Sequence, residues 1–281
     1  MQELHAIQIE PIVTRSLEED WGHGDWTTDI CIPSERQAAA KIIAKEDIIA
    51  CGLDVARAVF FKVDPDLKVQ LYAASGDSVN DRSTLIEISG RARSILKAER
   101  VALNLMGRMC GIATLTREFT SAISPYKAQL LDTRKTTPGL RILEKSATVV
   151  GGARNHRFGL CDGVIVKENH IRAAGGISAA VERLLESLPP TLKIEVETTN
   201  HDEVKEALSA GADIIMLDNM SPADMKAAVD FVDGRALLEA SGNVRLNNIK
   251  EVAATGVDFI STSSIIHSAR WSDLSLLFDI D

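Results

Sequence analysis

The sequence predicts an α/β protein in two parts: a small N-terminal sheet-plus-helix region, then a longer run of βα units that gives a parallel sheet or barrel. Three observations lead there. The 281 residues suit about two domains, or one of barrel size. Short apolar runs recur through the second half at intervals of roughly 20–35 residues with helix-like stretches between them, and sequential right-handed βα units produce a parallel sheet. Most of those runs end in a polar cluster, and α/β folds keep their chemistry at the C-terminal ends of their strands.

Residues 1–30 are charged and carry tryptophan, with a glycine-punctuated stretch at Trp21-Gly22-His23-Gly24-Asp25-Trp26 that reads as interface or packing. Alternation and β-branching over 37–50 predict a strand, and 52–62 reads as a helix. Strands are expected at 69–72 and 85–92, with 74–80 as the turn between them. Residues 93–122 show a helical period, with Leu96, Val101, Leu105, Met109 and Ile112 available for one buried stripe. Gly107 and Gly111 lie on one face of that helix and either permit close packing or break it. From 128 on, strands are expected at 128–131, 163–166, 192–196, 214–217, 236–238 and 257–260. Helices fit 179–188, 204–210 and 223–231; Asn200 or His201 could cap one, and Ser221-Pro222 begins another with proline in its first turn.

Composition bounds the function. Hydrophobic types make up 45% and charged types 25%, enough for a large core without disulfides or structural metal. The net charge of −9 argues against nucleic-acid partners, and no apolar run is long enough for a membrane span. The first residues lack the basic and apolar regions of a secretory signal. Cys31, Cys51, Cys110 and Cys161 show no metal-ligand spacing and read as reduced, mostly buried thiols of a cytoplasmic protein.

Four constellations carry candidate chemistry. Asp132-Thr133-Arg134-Lys135-Thr136-Thr137-Pro138-Gly139-Leu140-Arg141 puts three cations after a strand, and guanidinium forks suit carboxylates and phosphates. Alone it could be a solvated basic loop, but Gly151-Gly152-Ala153-Arg154-Asn155-His156-Arg157 repeats the theme, so His156 and Arg157 read as anion-binding. Lys167 follows Val164-Ile165-Val166 and precedes Glu168-Asn169-His170. A lysine there forms a Schiff base, binds an anion or leaves the core for solvent; the residues alone leave all three open. Glu195, Glu197 and Asp218 come from adjacent strands and suggest either Mg²⁺ coordination or a salt-bridge network. Ser241-Gly242-Asn243 and Ser261-Thr262-Ser263-Ser264 close two late strands with small residues whose backbone N–H groups could hold a phosphate. Neither a P-loop nor a dinucleotide-binding glycine fingerprint is present.

Taken together these segments resemble the quinolinate phosphoribosyltransferases, the decarboxylating enzymes of NAD biosynthesis. The resemblance runs through EEDWGHGDWTTD (18–29), ERVALNLMGRMCGIAT (99–114), LLDTRKTTPGLR (130–141) and GGARNHRFGLCDGVIVKENH (151–170). It continues in IEVETTN (194–200), IIMLDNMSP (214–222), LLEASGNV (237–244) and GVDFISTSSIIHSA (256–269). It implies a four-stranded N-terminal α/β domain over 1–112, an incomplete α/β barrel of the seven-stranded type over 113–269, and a tail, 270–281, returning to the first domain. It implies a homodimer in which one copy's N-terminal domain covers the partner's barrel, with quinolinate and 5-phosphoribosyl 1-pyrophosphate as substrates and Mg²⁺ as cofactor. Arg134, His156 and Arg157 match positions that hold the dicarboxylate, with Thr133 beside them. Lys135 and Lys167 match cations near substrate and pyrophosphate, and Arg100 matches the arginine the partner contributes. Glu197 and Asp218 match residues around Mg²⁺ and the ribose hydroxyls. Ser241, Gly242, Asn243, Ser263, Ser264 and His267 match the loops around the 5-phosphate. Asn243 stands where the family usually has a second glycine, and glycine is also common in the stretch held here by Thr262-Ser263-Ser264. These side chains either crowd the loop or point away from it. Three other readings remain: a paralogue of the same fold with a different acceptor, a barrel enzyme using Lys167 as a Schiff-base lysine, and a catalytically dead dimeric scaffold.

Overall fold

In the computed structural model, which describes residues 4–279, helices α1 (Ala6–Trp21) and α2 (Trp26–Cys31) lead into strands β1 (Gln37–Ala44) and β2 (Ile48–Ile49). Helix α3 (Leu53–Val63), strands β3 (Lys68–Leu71), β4 (Ser78–Val79) and β5 (Thr84–Arg91), and helix α4 (Ala92–Ile123) follow. Then come β6 (Gln129–Leu131), α5 (Arg141–Val150), β7 (Val164–Val166), α6 (Glu168–Ala174) and α7 (Ile177–Ser187). The chain ends through β8 (Ile194–Thr198), α8 (His201–Ala210), β9 (Ile214–Asp218), α9 (Pro222–Val232), β10 (Leu237–Ser241), α10 (Ile249–Ala254), β11 (Phe259–Ser261), α11 (Ser264–His267) and β12 (Leu274–Asp279). Contacts divide it into two units. One holds the residues up to Arg117, 136–152 and those from Ser268 on; the other holds 118–135 and 153–267.

The first unit is built on an antiparallel sheet of order β12-β1-β5-β3. Strand β1 alternates as a half-buried strand must, with Ala38, Ala40, Ile42 and Ala44 inward. Ile86 and Ile88 of β5 face the same core and are fully buried. The expected strand over 37–50 is interrupted after Ala44, where Asp47 accepts the Asp81 N–H and starts a turn. The expected turn over 74–80 is likewise more structured, because Ser78–Val79 pairs antiparallel with Ile48–Ile49. Helix α1, which the sequence reading left unassigned, buries Ile9, Ile12, Val13 and Leu17 at helical spacing. Helix α4 runs unbroken through Gly107 and Gly111, so the glycines serve close packing. The Gly107 carbonyl accepts the Ser272 N–H at 3.0 Å, and a Cβ at Gly111 would overlap the Arg270 carbonyl oxygen.

The second unit is a parallel sheet of six strands in the order β6-β11-β10-β9-β8-β7. A single parallel bridge between Leu131 and Arg154 adds a seventh position beyond β6. No pairing joins that position to β7 among the described residues, so the sheet is an incomplete barrel. The helices between strands start where capping chemistry places them. Asn200 accepts the Asp202 and Glu203 N–H groups at the start of α8, and Ser221 accepts the Asp224 N–H at the start of α9, with Pro222 in its first turn. Apolar residues such as Val196, Ile215, Leu217, Ala240 and Ile260 are fully buried. Two glutamates, Glu195 at 3% and Glu239 at 1% exposure, are buried with them. Buried carboxylates need partners, and these two lie beneath the strand ends where the polar motifs collect. Among the described residues no helix is long and apolar enough to cross a membrane.

Candidate active site

The site grows from the ends of the parallel strands of the second unit. Asp132, fully buried after β6, accepts the His156 backbone N–H at 2.9 Å, and its own N–H donates to the Arg154 carbonyl at 3.2 Å. The two basic motifs, distant in sequence, are thereby joined. Thr133 Oγ1 accepts the Lys135 N–H at 3.0 Å and shapes the turn that leaves Lys135 exposed and Arg134 half-buried. Arg141, the third cation of the first motif, belongs to the other unit. Its Nε donates to Thr136 Oγ1 at 2.9 Å, so it clasps its own loop. Thr137 there donates through its N–H and hydroxyl to Glu144, which pairs with Arg108 at 2.9 Å.

His156 is held on every side. Its Nδ1 accepts the Arg157 N–H at 2.7 Å, and its Nε2 lies 3.2 Å from Glu195 and 3.4 Å from Glu239. Burial alone would depress the imidazole, but hydrogen bonds and charge from the two carboxylates outweigh it and push it up to about 10. Burial also raises Glu195, against the His156 hydrogen bond and with the Glu239 charge. One nitrogen thus faces two carboxylates, and both partners are pushed toward holding the proton. The hydrogen bonds fix one proton on Nε2, between the carboxylates, since Nδ1 accepts the Arg157 N–H; the upward shift concerns a second proton, which would have to go to Nδ1. A doubly protonated ring would have to give up the Arg157 N–H. The Arg157 guanidinium donates to the Gly163 carbonyl at 2.8 Å, and its pKa is lowered by burial and then by the neighbouring Arg134 charge.

A second layer lies nearer the strand ends. Lys167, the N-cap of α6, places its ammonium against the Glu197 carboxylate. Asp218, which ends β9, is raised by burial and by Glu197, and is lowered by Asn219, Lys167 and Lys135. These side chains therefore share one electrostatic neighbourhood. Glu195, expected to join Glu197 and Asp218, instead lies two residues deeper on β8 and faces His156. Lys167 is committed to an ion pair with Glu197, which a Schiff base on its amine would have to break.

The late loops settle the two departures. Asn243 adopts φ +53° and takes up the left-handed conformation that glycine provides elsewhere, as asparagine tolerates. Its Nδ2 donates to Asn219 Oδ1 at 2.9 Å, and Asn219 Nδ2 donates to Asp218 Oδ2 at 2.8 Å. Asn219, itself at φ +55°, thus links the two loops, a role the sequence reading missed. Thr262 and Ser264 donate their hydroxyls to the Val244 carbonyl at 2.9 and 3.2 Å, so both are stitched to backbone. Ser263 accepts the His267 N–H through its carbonyl at 2.9 Å, and the His267 side chain is exposed. Ser241 and Gly242 close β10. Arg100 is exposed on α4 in the first unit.

Two sets of groups suit a divalent cation. His156, Glu195 and Glu239 each offer a ligand atom within 4.8 Å of the others, spacing that a metal could bridge. Glu197 and Asp218 offer oxygen only and are less buried, which suits a hard cation that retains water.

Residues 25–110 match the family profile for the N-terminal domain of quinolinate phosphoribosyl transferase, and residues 112–277 match that for its C-terminal domain. A Synechocystis protein described as a probable nicotinate-nucleotide pyrophosphorylase (carboxylating) is 46% identical over 273 residues, covering 96% of this chain and 92% of its own. The solved nicotinate-nucleotide pyrophosphorylase of Francisella tularensis superposes with a TM-score of 0.94 at 40% identity, over 99% of this chain and 98% of that one. That of Ehrlichia chaffeensis gives 0.93 at 37% identity, over 99% and 100%.

Proposed function

The chain belongs to the quinolinate phosphoribosyltransferase family, and from that premise we propose that it transfers the phosphoribosyl group of 5-phosphoribosyl 1-pyrophosphate to quinolinate, releasing pyrophosphate and CO₂ and giving nicotinate mononucleotide. The observation that carries the reading is the gathering of Arg134, Lys135, Arg157 and Lys167 beside Glu197 and Asp218 at the ends of one parallel sheet. Both substrates are multiply charged anions, and the second is also a sugar with hydroxyls to hold.

In this reading the guanidinium forks of Arg134 and Arg157 hold the two carboxylates of the pyridine. The ring nitrogen then attacks C1′ of the ribose while the C1′–O bond to pyrophosphate breaks. Positive charge develops on the ribosyl ring, and Glu197 and Asp218 stabilise it where it forms. Lys135 and Lys167 offset the negative charge gathering on the departing pyrophosphate. Glu197 and Asp218 would also hold Mg²⁺, which when bound supplies charge neutralisation to the phosphates. The quaternised nitrogen makes the ring an electron sink, so the C2–carboxylate bond breaks, CO₂ leaves, and a proton replaces it at C2. Ser241, Gly242, Asn243, Ser263, Ser264 and His267 line the loops that receive the 5-phosphate, and a second copy of the chain brings Arg100.

The test incubates the protein with Mg²⁺, phosphoribosyl pyrophosphate and quinolinate and measures nicotinate mononucleotide and CO₂ in equal amounts. Nicotinate offered as acceptor should give far less product, because it lacks the second carboxylate. Turnover of nicotinate at the same rate, or no product from quinolinate, would refute the reading.

A further inference from the structure

The two buried glutamates raise a question that substrate binding alone leaves open. A pocket for a dianion gains nothing directly from carboxylates beneath it, and burying two of them next to each other is costly. Glu195 and Glu239 are 3% and 1% exposed, and the Oε1 atom of each is buried with no hydrogen-bond partner. Their Oε2 atoms converge on one group, the His156 Nε2, at 3.2 and 3.4 Å. The other ring nitrogen accepts the Arg157 N–H at 2.7 Å, and the His156 N–H donates to buried Asp132 at 2.9 Å. Both nitrogens of the imidazole are therefore engaged inside the protein, and the ring fixes the backbone at the residue whose guanidinium reaches the site.

Resting on the reading above, we propose that Glu195, His156 and Glu239 form a buried strut that positions Arg157 for the dicarboxylate, with His156 acting through Arg157 and not as a carboxylate ligand itself. The geometry explains the pair of acids. Two carboxylates converging on one N–H leave the ring a single orientation, and that orientation points Nδ1 at the Arg157 N–H. A neutral side chain at either position would free the ring to turn, and Arg157 would lose its fixed approach.

The test is a double-mutant cycle on His156→Ala and Glu239→Gln, with Glu195→Gln as a parallel arm, read by calorimetric binding of quinolinate and by KM for each substrate. Glu239→Gln and Glu195→Gln are each expected to weaken quinolinate binding at least tenfold while the KM for phosphoribosyl pyrophosphate stays within twofold. The double variant His156→Ala/Glu239→Gln should be no weaker than His156→Ala alone, and Glu239→Asp, which keeps the charge, should recover part of the loss. Thermal melts identify any variant that has simply lost its fold; for such a variant Glu239→Asp supplies the comparison. Additive losses, or wild-type quinolinate binding in both Gln variants, would overturn the strut. So would one equivalent of tightly bound divalent metal in the purified protein that His156→Ala releases. If wild-type protein binds quinolinate but makes no product, the proposed reaction fails while the strut is still judged by binding.

Discussion

Replacing Gly242 by alanine tests the link between the late loop and Asp218. Gly242 has φ +87°, where an L-residue costs roughly 1–2 kcal/mol. The new Cβ would also overlap the side chain of Asn219. That side chain can yield, but only by loosening its bonds to Asp218 at 2.8 Å and from Asn243 at 2.9 Å. A hydrogen bond to a charged group contributes about 1.5–3 kcal/mol and a neutral one about 0.5–1.5 kcal/mol. The strain falls on stability, while displacement of Asp218 through partial loss of both bonds costs about 1–2 kcal/mol, or roughly 5- to 30-fold in affinity. The loss should fall on the phosphoribosyl substrate, because the displaced groups are Asp218 and the phosphate loop. Initial-rate kinetics with each substrate varied in turn is the assay. The expected result is a KM for phosphoribosyl pyrophosphate raised by that factor, a quinolinate KM within twofold, and a melting temperature within a few degrees of wild type. Removing the obstruction with Asn219→Ala should make Gly242→Ala less costly than it is in the wild-type background. An unchanged KM for phosphoribosyl pyrophosphate, or an effect on quinolinate alone, would refute the coupling.

Three further outcomes are expected. Helix propensity says Gly111→Ala on α4 should stabilise by about 1 kcal/mol, but the Cβ would overlap the Arg270 carbonyl, so denaturant titration should instead show a loss of about 1–3 kcal/mol; a rise in stability would contradict the packing. Asp64 is buried and receives Arg91 at 2.7 and 2.8 Å and the Ser94 hydroxyl at 2.7 Å, and Arg91 and Ser94 hold its carboxyl far below the usual range. A depressed carboxyl stabilises fully above its unfolded pKa of about 4 and loses that contribution as pH falls toward its folded value, so melting curves from pH 5 downward should drop more steeply for wild type than for Asp64→Asn. Arg134→Ala should cost at least about tenfold in quinolinate affinity or turnover, about 1.4 kcal/mol, and Arg134→Lys should not restore it, because an ammonium lacks the guanidinium fork; a folded R134A protein with unchanged kinetics would end that assignment.

Much of the fold could be read from periodicity. The expected strands from 128 onward all correspond to observed ones, since buried parallel strands are short apolar runs bounded by polar residues. Helix α1 escaped because its buried positions are spread through a charged segment with a proline at 11, so no dense apolar stripe announces it. Helix α5 escaped for a related reason: Glu144 and Lys145 occupy buried positions within it. In the site, the cationic motifs stood out because charge at a strand end is unusual. Asn219 did not, since nothing in the sequence shows that a loop after β9 meets a loop after β10. Glu239 was hidden too, because one buried acid inside an apolar strand looks no different from one at its end until the pleat is known. Three cations in eight residues look like one cluster in the sequence, and the local bond from Arg141 to Thr136 within that stretch is visible only in the structure.

The same pleat explains why Glu195 and Glu197 were read as one cluster when they have different partners. Alternation puts both on one face of β8, but two residues of strand separate them by roughly 6–7 Å along the axis. The deeper one falls among apolar side chains and must be held by hydrogen bonds, which His156 supplies. The outer one reaches Lys167 and the neighbourhood of Asp218. One strand thereby feeds two layers: a buried layer that fixes the orientation of the anion-binding segment, and an open layer whose oxygens are available to a sugar or a cation. Exchanging the two roles would leave a charge unpaired in the core and a bare strand end above it. The spacing of two residues therefore bears on both the stability of the barrel and the chemistry at its mouth.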